Sequence, residues 1–180
     1  LLLRLGDLSL DEVADRLADV EGRSSTDLAR EWLAELVRDT RAIPIEIAGE
    51  ARYAAAEDAA RLRDGLGVAL PPGLPEALLE RRPHALRELV ARYARTHGPF
   101  QAVEPARRLG IPEAAVEQAL HELARDGRVL QGEFRPGAHG IEWASADVLK
   151  SLRRLSLAAL RREVEPVDAE ALARLLVDWQ

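Results

Sequence analysis

The chain writes one short string twice. From Trp32 it reads WLAELVRDTRAI and from Ala119 it reads ALHELARDGRVL, and the two align without a gap. Leu33 falls on Leu120, Glu35 on Glu122, Leu36 on Leu123, Arg38 on Arg125, Asp39 on Asp126 and Arg41 on Arg128. In each copy an amphipathic segment stops, a turn follows, and an apolar run of strand character begins. Upstream of each copy lies a second short amphipathic segment; downstream come a strand, a tight connection and another strand. Any fold for this chain must house that unit twice.

Helix, turn, helix and two-stranded ribbon is the order of a winged helix-turn-helix domain. The expected fold is therefore mainly α with small β-hairpins, as tandem winged helix-turn-helix domains. The first unit is expected over residues 1–70. Ser9 and Glu12 have capping-box spacing, which starts a helix carrying Leu10, Val13, Ala14 and Leu17 on one face. Ser25 is placed to cap the next helix, whose apolar stripe is Leu28, Trp32 and Leu36 beside Ala29, Leu33 and Val37. Ile43, Ile45 and Ile47 then alternate with Ala42, Pro44 and Glu46, as in a half-buried ribbon, and Pro44 marks an edge. Gly49 turns the chain into the second strand, and a closing helix is expected over 57–66. Asp27, Glu31, Glu35 and Asp39 outweigh Arg30 and Arg38 on the first helix-turn-helix, so this copy is expected to be structural.

Pro71, Pro72, Gly73, Pro75 and Pro83 cannot sustain a helix or a central strand, and residues 71–83 are expected as a semi-rigid connection. The second unit is expected over 84–145. Leu86, Leu89, Val90 and Tyr93 form its first helix, ended by His97, Gly98 and Pro99. A short helix to Leu109 starts late because of Pro105 and stops at Gly110. Pro112 opens the next helix in its first turn; its core face is Val116, Ala119, Leu120 and Leu123, and Gly127 takes the left-handed position after it. The ribbon is 128–134 with 141–144, joined by a wing that carries Arg135 and His139. Residues 146–180 hold a long helix over 147–163 and the start of a following helical unit over 169–179.

Composition narrows the function. A length of 180 residues falls between one and two domains. With no cysteine there is no disulfide framework and no thiolate metal site. His84, His97, His121 and His139 lack metal-ligand spacing, and no Gly-rich phosphate loop or Ser/His/Asp set is present. No catalytic residue, metal or cofactor is therefore expected in this chain. No apolar run approaches the roughly 20 residues needed to span a bilayer and no signal peptide opens the sequence, so the expected setting is cytoplasmic with no membrane partner. An opening at Leu1 without methionine, and an end at Gln180 inside an apparent helix, suggest a part of something larger.

The net charge of −6 argues against a uniformly nucleic-acid-binding surface. The charge is uneven, however. Lys150, Arg153, Arg154 and Arg161 recur at spacings of three, four and seven and share a broad helix face, with Leu149, Leu152, Leu155, Ala159 and Leu160 mostly opposite. The candidate nucleic-acid-binding residues are Arg135, His139, Lys150, Arg153, Arg154 and Arg161. A solvated basic helix face is the plainer alternative. Trp32, Phe134 and Trp143 fall on apolar faces and are expected in the core.

The strings LVARYARTHGPF from Leu89, GRVLQGEFRPGAHGIEW from Gly127, DVLKSLRRLSLAALRREVEPV from Asp147 and RYAAAEDAARLRDGLGVALPPGLPEALLE from Arg52 resemble the bacterial large helicase-related family, in the region after its ATPase core. The chain departs from that pattern at Pro105, where an aliphatic is usual, and at Ile141, where an arginine often stands. The resemblance implies a non-catalytic winged-helix part of an ATP-dependent, 3′-to-5′ superfamily-2 DNA repair helicase. Such a part would hold nucleic acid, assist self-assembly, or both. It implies ATP and magnesium in the parent's ATPase core but none here. The implied partners are the phosphate backbone of DNA or an RNA–DNA hybrid, neighbouring modules of the parent, and a homo-oligomer. The alternatives are a purely structural oligomerisation scaffold and part of a winged-helix, DNA-glycosylase-like module.

Overall fold

The computed structural model describes residues 1–17, 24–137 and 140–163. Helices α1 (Leu2–Leu5), α2 (Leu10–Ala14) and α3 (Ser25–Arg38) lead into strands β1 (Ala42–Ile47) and β2 (Glu50–Ala55), then α4 (Ala59–Leu66). Helices α5 (Ala85–Thr96), α6 (Val103–Leu109) and α7 (Glu113–Arg125) lead into β3 (Val129–Gly132) and β4 (Glu142–Ser145). Residues Leu1–Ala146 form one compact unit. Helix α8 (Ala146–Glu163) runs into the second unit, which is described by itself. The final helix expected over 169–179 lies outside the described residues, as does His139.

The helix–ribbon junctions recur bond for bond. After α3 the chain closes with Thr40 N–H donating to the Val37 carbonyl and Arg41 N–H to the Leu36 carbonyl. After α7, Gly127 N–H donates to Ala124 and Arg128 N–H to Leu123, the same Schellman pair at aligned positions. The residue that makes the turn is left-handed both times, Thr40 at φ 56° and Gly127 at φ 68°. Both hairpins are antiparallel, and Ala42 pairs with Ala55 as Val129 pairs with Ser145. Each second strand carries a further bridge on its other edge, Leu8 to Tyr53 and Phe100 to Trp143. In both copies the bridged residue stands just before a helix entry capped by a carboxylate three positions on. Ser9 N–H donates to Glu12 Oε2 at 2.9 Å, and Gln101 N–H donates to Glu104 Oε1 at 2.8 Å.

Two clusters fill the compact unit. One lies in the first copy and gathers Leu2, Leu8, Val13, Ala29 and Leu33 beneath α3. The other runs from Ile43, Ile45, Ile47 and Leu62 of the first copy into Val90, Phe100, Val116, Leu120 and Trp143 of the second. Both copies thus share a core. Residues 71–83 include a 3₁₀ turn at Glu76–Leu78, and Leu74 and Leu78 pack on that core. The tip of the first hairpin has Ala48 at φ 54° and Gly49 at φ 77°, the two left-handed residues of a tight turn. It seats against Gly110, where a Cβ would lie 3.1 Å from the Ala48 Cβ and 3.2 Å from its backbone.

Four expectations need correction. Trp32 is 45 % exposed, not core, whereas Trp143 is buried at 3 % as expected. Ala29 and Leu33 occupy the inward positions of α3, and Trp32 aligns with Ala119, a buried site with room for a methyl. The indole instead lies at the rim of an apolar cavity of about 290 Å³, with Leu1, Leu3, Leu17 and Leu36. The residue before α3 is Ser24 and not Ser25, and Ser24 makes no side-chain cap bond. Pro112 precedes α7 as its N-cap residue instead of sitting in the first turn. Phe134 is only half-buried, lying over Gly132.

Two measurements follow. A β-branched residue in the left-handed region is strained. Thr40→Gly should therefore stabilise the chain by about 1 kcal/mol in urea unfolding, and Gly127→Thr should destabilise it by a similar amount. Trp143→Ala should cost about 3–5 kcal/mol and Trp32→Ala well under half of that. Equal losses at the two tryptophans would contradict their placement.

Candidate nucleic-acid interface

A phosphate-binding surface needs exposed cations that the fold has not already neutralised. Several arginines of the compact unit fail that test, whereas others, among them Arg38, Arg95, Arg107, Arg125 and Arg128, are exposed. Asp7 and Arg52 are both buried, and Arg52 Nη1 donates to Asp7 Oδ2 at 2.8 Å. Arg108 on α6 crosses to the first copy, donating from Nη1 to Glu12 Oε1 at 2.6 Å and from Nη2 to the Asp7 carbonyl at 2.7 Å. Asp58, buried at the end of the first hairpin, accepts from Arg61 and from both Nη groups of Arg92 on α5. Arg108 and Arg92 hold the two copies together.

Burial works to raise the Glu12 carboxyl. The Arg108 hydrogen bond, the Ser9 N–H and the charges of Arg108 and Arg52 outweigh it, and the group is held down at about 2 against an ordinary 4.5.

The wing carries a second kind of ion pair. Glu142 is fully buried at the start of β4. It accepts from the N–H groups of Phe134 at 2.8 Å and Arg135 at 2.9 Å, and from Arg135 Nε. The Arg135 N–H, ahead of the opposing effect of burial, holds this carboxyl below its ordinary range, with help from the Arg135 side chain and the Phe134 N–H. Arg135 Nη2 also lies 3.6 Å from Glu104. The wing cation named from sequence is thus already bracketed by two carboxylates.

Arg52 and Glu142 occupy the same place in the two hairpins. Ile45 pairs with Arg52 as Gly132 pairs with Glu142, three positions beyond the aligned Ala42 and Val129. The buried charge is positive in the first copy and negative in the second. In the first, Arg52 approaches the capping carboxylate Glu12 directly, at 3.9 Å. In the second, Arg135 has to stand between Glu142 and the capping carboxylate Glu104. Sequence reasoning missed both buried charges; each lies inside a strand, where a lone charge at a paired position is the available signal.

Helix α8 presents a different surface. Lys150, Arg153, Arg154 and Arg161 are exposed on one side, and Lys150 pairs at 3.4 Å with Asp147, itself exposed. Leu152 and Leu155 on the other side, and Leu160 beside Arg153, are also exposed. The four cations predicted on α8 are thus brought together, while Arg135 belongs to a separate, neutralised cluster. The aligned helices α3 and α7 present Glu31, Glu35, Glu113 and Glu117 to solvent. No group of His, Asp or Glu among the described residues could hold a metal, and no described helix is long and apolar enough to cross a membrane.

Residues 1–81 match the family described as "Large helicase-related protein, winged-helix domain". Two relatives align over almost the whole chain. A Mycolicibacterium smegmatis protein named "Lhr helicase/ probable uracil glycosylase" is 45 % identical over 163 residues, 91 % of this chain. An Escherichia coli protein named "Lhr helicase/uracil glycosylase" is 37 % identical over 182 aligned residues, 100 % of this chain. Residues 1–81 thus belong to a winged-helix domain of the large helicase-related protein family, and the whole chain aligns with a segment of these relatives. It spans 11 % of the length of each relative. The chain is a mainly helical segment with two small hairpins, the first inside a winged-helix domain.

The acid limb of stability tests the junction. Because the Glu12 carboxyl is lower in the folded state than in the unfolded one, its contribution is complete above about 4.5 and disappears as pH falls through about 2. Glu12→Gln should lose about 2–3 kcal/mol at neutral pH. That deficit should shrink steadily between those two pH values in urea unfolding. A deficit independent of pH would mean that shape, not charge, is what Glu12 contributes.

Proposed function

We propose that this chain is a non-catalytic tandem winged-helix module of an ATP-dependent, 3′-to-5′ superfamily-2 DNA repair helicase. In this reading it grips nucleic acid by its phosphates. The observation that carries the reading is the basic side of α8, where Lys150, Arg153, Arg154 and Arg161 stand exposed with only Asp147 paired among them. The tandem assignment is supported by the recurrence of the Schellman turn, the edge bridge and the capped helix entry at aligned positions. Backbone contacts of this sort position a duplex or a single strand without reading its sequence. The helices that would enter a groove in a winged helix are acidic here, so base readout is not their role. Catalytic steps, with ATP and magnesium, are assigned to the parent's ATPase core and to no residue of this chain.

A scaffold reading is favoured for the first copy by one observation. The tip of its hairpin is exposed but carries no cation, is flanked by Glu46 and Glu50, and touches Gly110 on one side, which disfavours it as a phosphate-contacting wing. The first copy then braces the second, and self-assembly of the parent would use surfaces other than that tip.

Replacing Lys150, Arg153 and Arg154 together by Ala should weaken binding of labelled single-stranded and duplex DNA. Each lost phosphate contact should reduce the slope of log affinity against log salt by about 0.7–0.9. The melting temperature should be unchanged because these side chains lie on the exposed side of α8. Unaltered affinity together with an unaltered slope would remove α8 as the contact surface and leave the scaffold reading for the whole chain.

A further inference from the structure

We propose that Glu104 is an electrostatic brake on the second wing: it holds the Arg135 guanidinium away from phosphate, and a nucleic-acid backbone must displace it to engage that cation. The inference rests on the reading of the chain as a phosphate-binding module and adds a second, regulated contact to it.

The two carboxylates around Arg135 differ in kind. Glu142 is buried and accepts two backbone N–H groups that shape the wing, so it cannot leave without unmaking the turn. Glu104 is exposed on α6, and its contact with Arg135 Nη2 is long, at 3.6 Å. One guanidinium between two carboxylates leaves the cluster with a net charge of about −1, which repels a phosphodiester at the distances that matter within a Debye length. A phosphate brings the same anionic oxygens to Arg135 as Glu104 does, and competes with it for the same donor.

The first copy shows what Glu104 lacks. Its aligned residue Glu12 is pinned by two hydrogen bonds from Arg108 on a neighbouring helix and lies close to a buried arginine. Glu104 caps the Gln101 N–H and, among the described residues, otherwise has Arg135 as its ion partner. Its charge is therefore the replaceable one of the pair.

The test uses the 180-residue chain and fluorescein-labelled oligothymidylate, with anisotropy read across a salt series. Glu104→Gln keeps an oxygen for the Gln101 N–H, so melting should be unaffected. It should bind about two- to fivefold more tightly at low salt. Its salt slope should steepen by about 0.7. In an Arg135→Gln background the same substitution should give no gain. A gain of equal size in that background would overturn the brake, because Glu104 would then act only as a general negative charge. Binding by the native chain with no gain in Glu104→Gln would overturn the brake alone. Absence of binding by both proteins would overturn the phosphate-binding reading and the brake with it.

Discussion

A carboxylate withdrawn from water must find a cation, and in the first half of this chain part of that partnership comes from the other copy of the repeat. Asp7, Glu12 and Asp58 of the first half are met by Arg108 and Arg92 of the second. Arg52 and Arg61, within the first half, complete the two sets. Removing one partner of such a pair typically costs about 3–5 kcal/mol, since the remaining charge stays desolvated. The geometry of α2, β2, α5 and α6 is therefore fixed jointly. A shared apolar cluster alone would tolerate sliding between the halves; directional ion pairs do not.

The aligned copies solve one packing position with opposite charges. With arginine at position 52, the capping carboxylate of the same copy lies near an opposite charge. With glutamate at position 142, the nearby capping carboxylate becomes a like charge, and the wing must contribute Arg135 between them. The most conspicuous cation of the wing is thereby recruited to the fold. Helix α8, whose exposed acid among the described side chains is Asp147, presents Lys150, Arg153, Arg154 and Arg161 to solvent and is the better candidate surface.

What could be read from the sequence was local. The Ser9–Glu12 capping box, the alternation of Ile43, Ile45 and Ile47, and the left-handed glycines 110 and 127 each depend on a few adjacent residues, and each formed where expected. Trp32 was misplaced because periodicity gives a face but not the depth available beneath it; a neighbour as small as the site of Ala119 decides that. The buried charges were illegible for a related reason. Glu12 and Arg108 stand 96 positions apart, Asp7 and Arg52 stand 45 apart, and no spacing rule connects them. On the candidate surface, helical spacing was enough to gather four cations on α8. It could not reveal that Arg135 is engaged, since that depends on how the hairpin folds Glu142 back beneath it.

The contact between the Ala48 turn and Gly110 also has a mechanical meaning. Two turns touching through backbone and the single methyl of Ala48 form a hard stop, because neither surface has a rotamer that can yield. Compression of the first hairpin toward α6 is resisted at once, while separation is resisted by the arginine pairs and the shared apolar core behind it. Load entering at one half would pass to the other through that point much as through a strut. A unit built this way transmits a push from one half to the other with little bending.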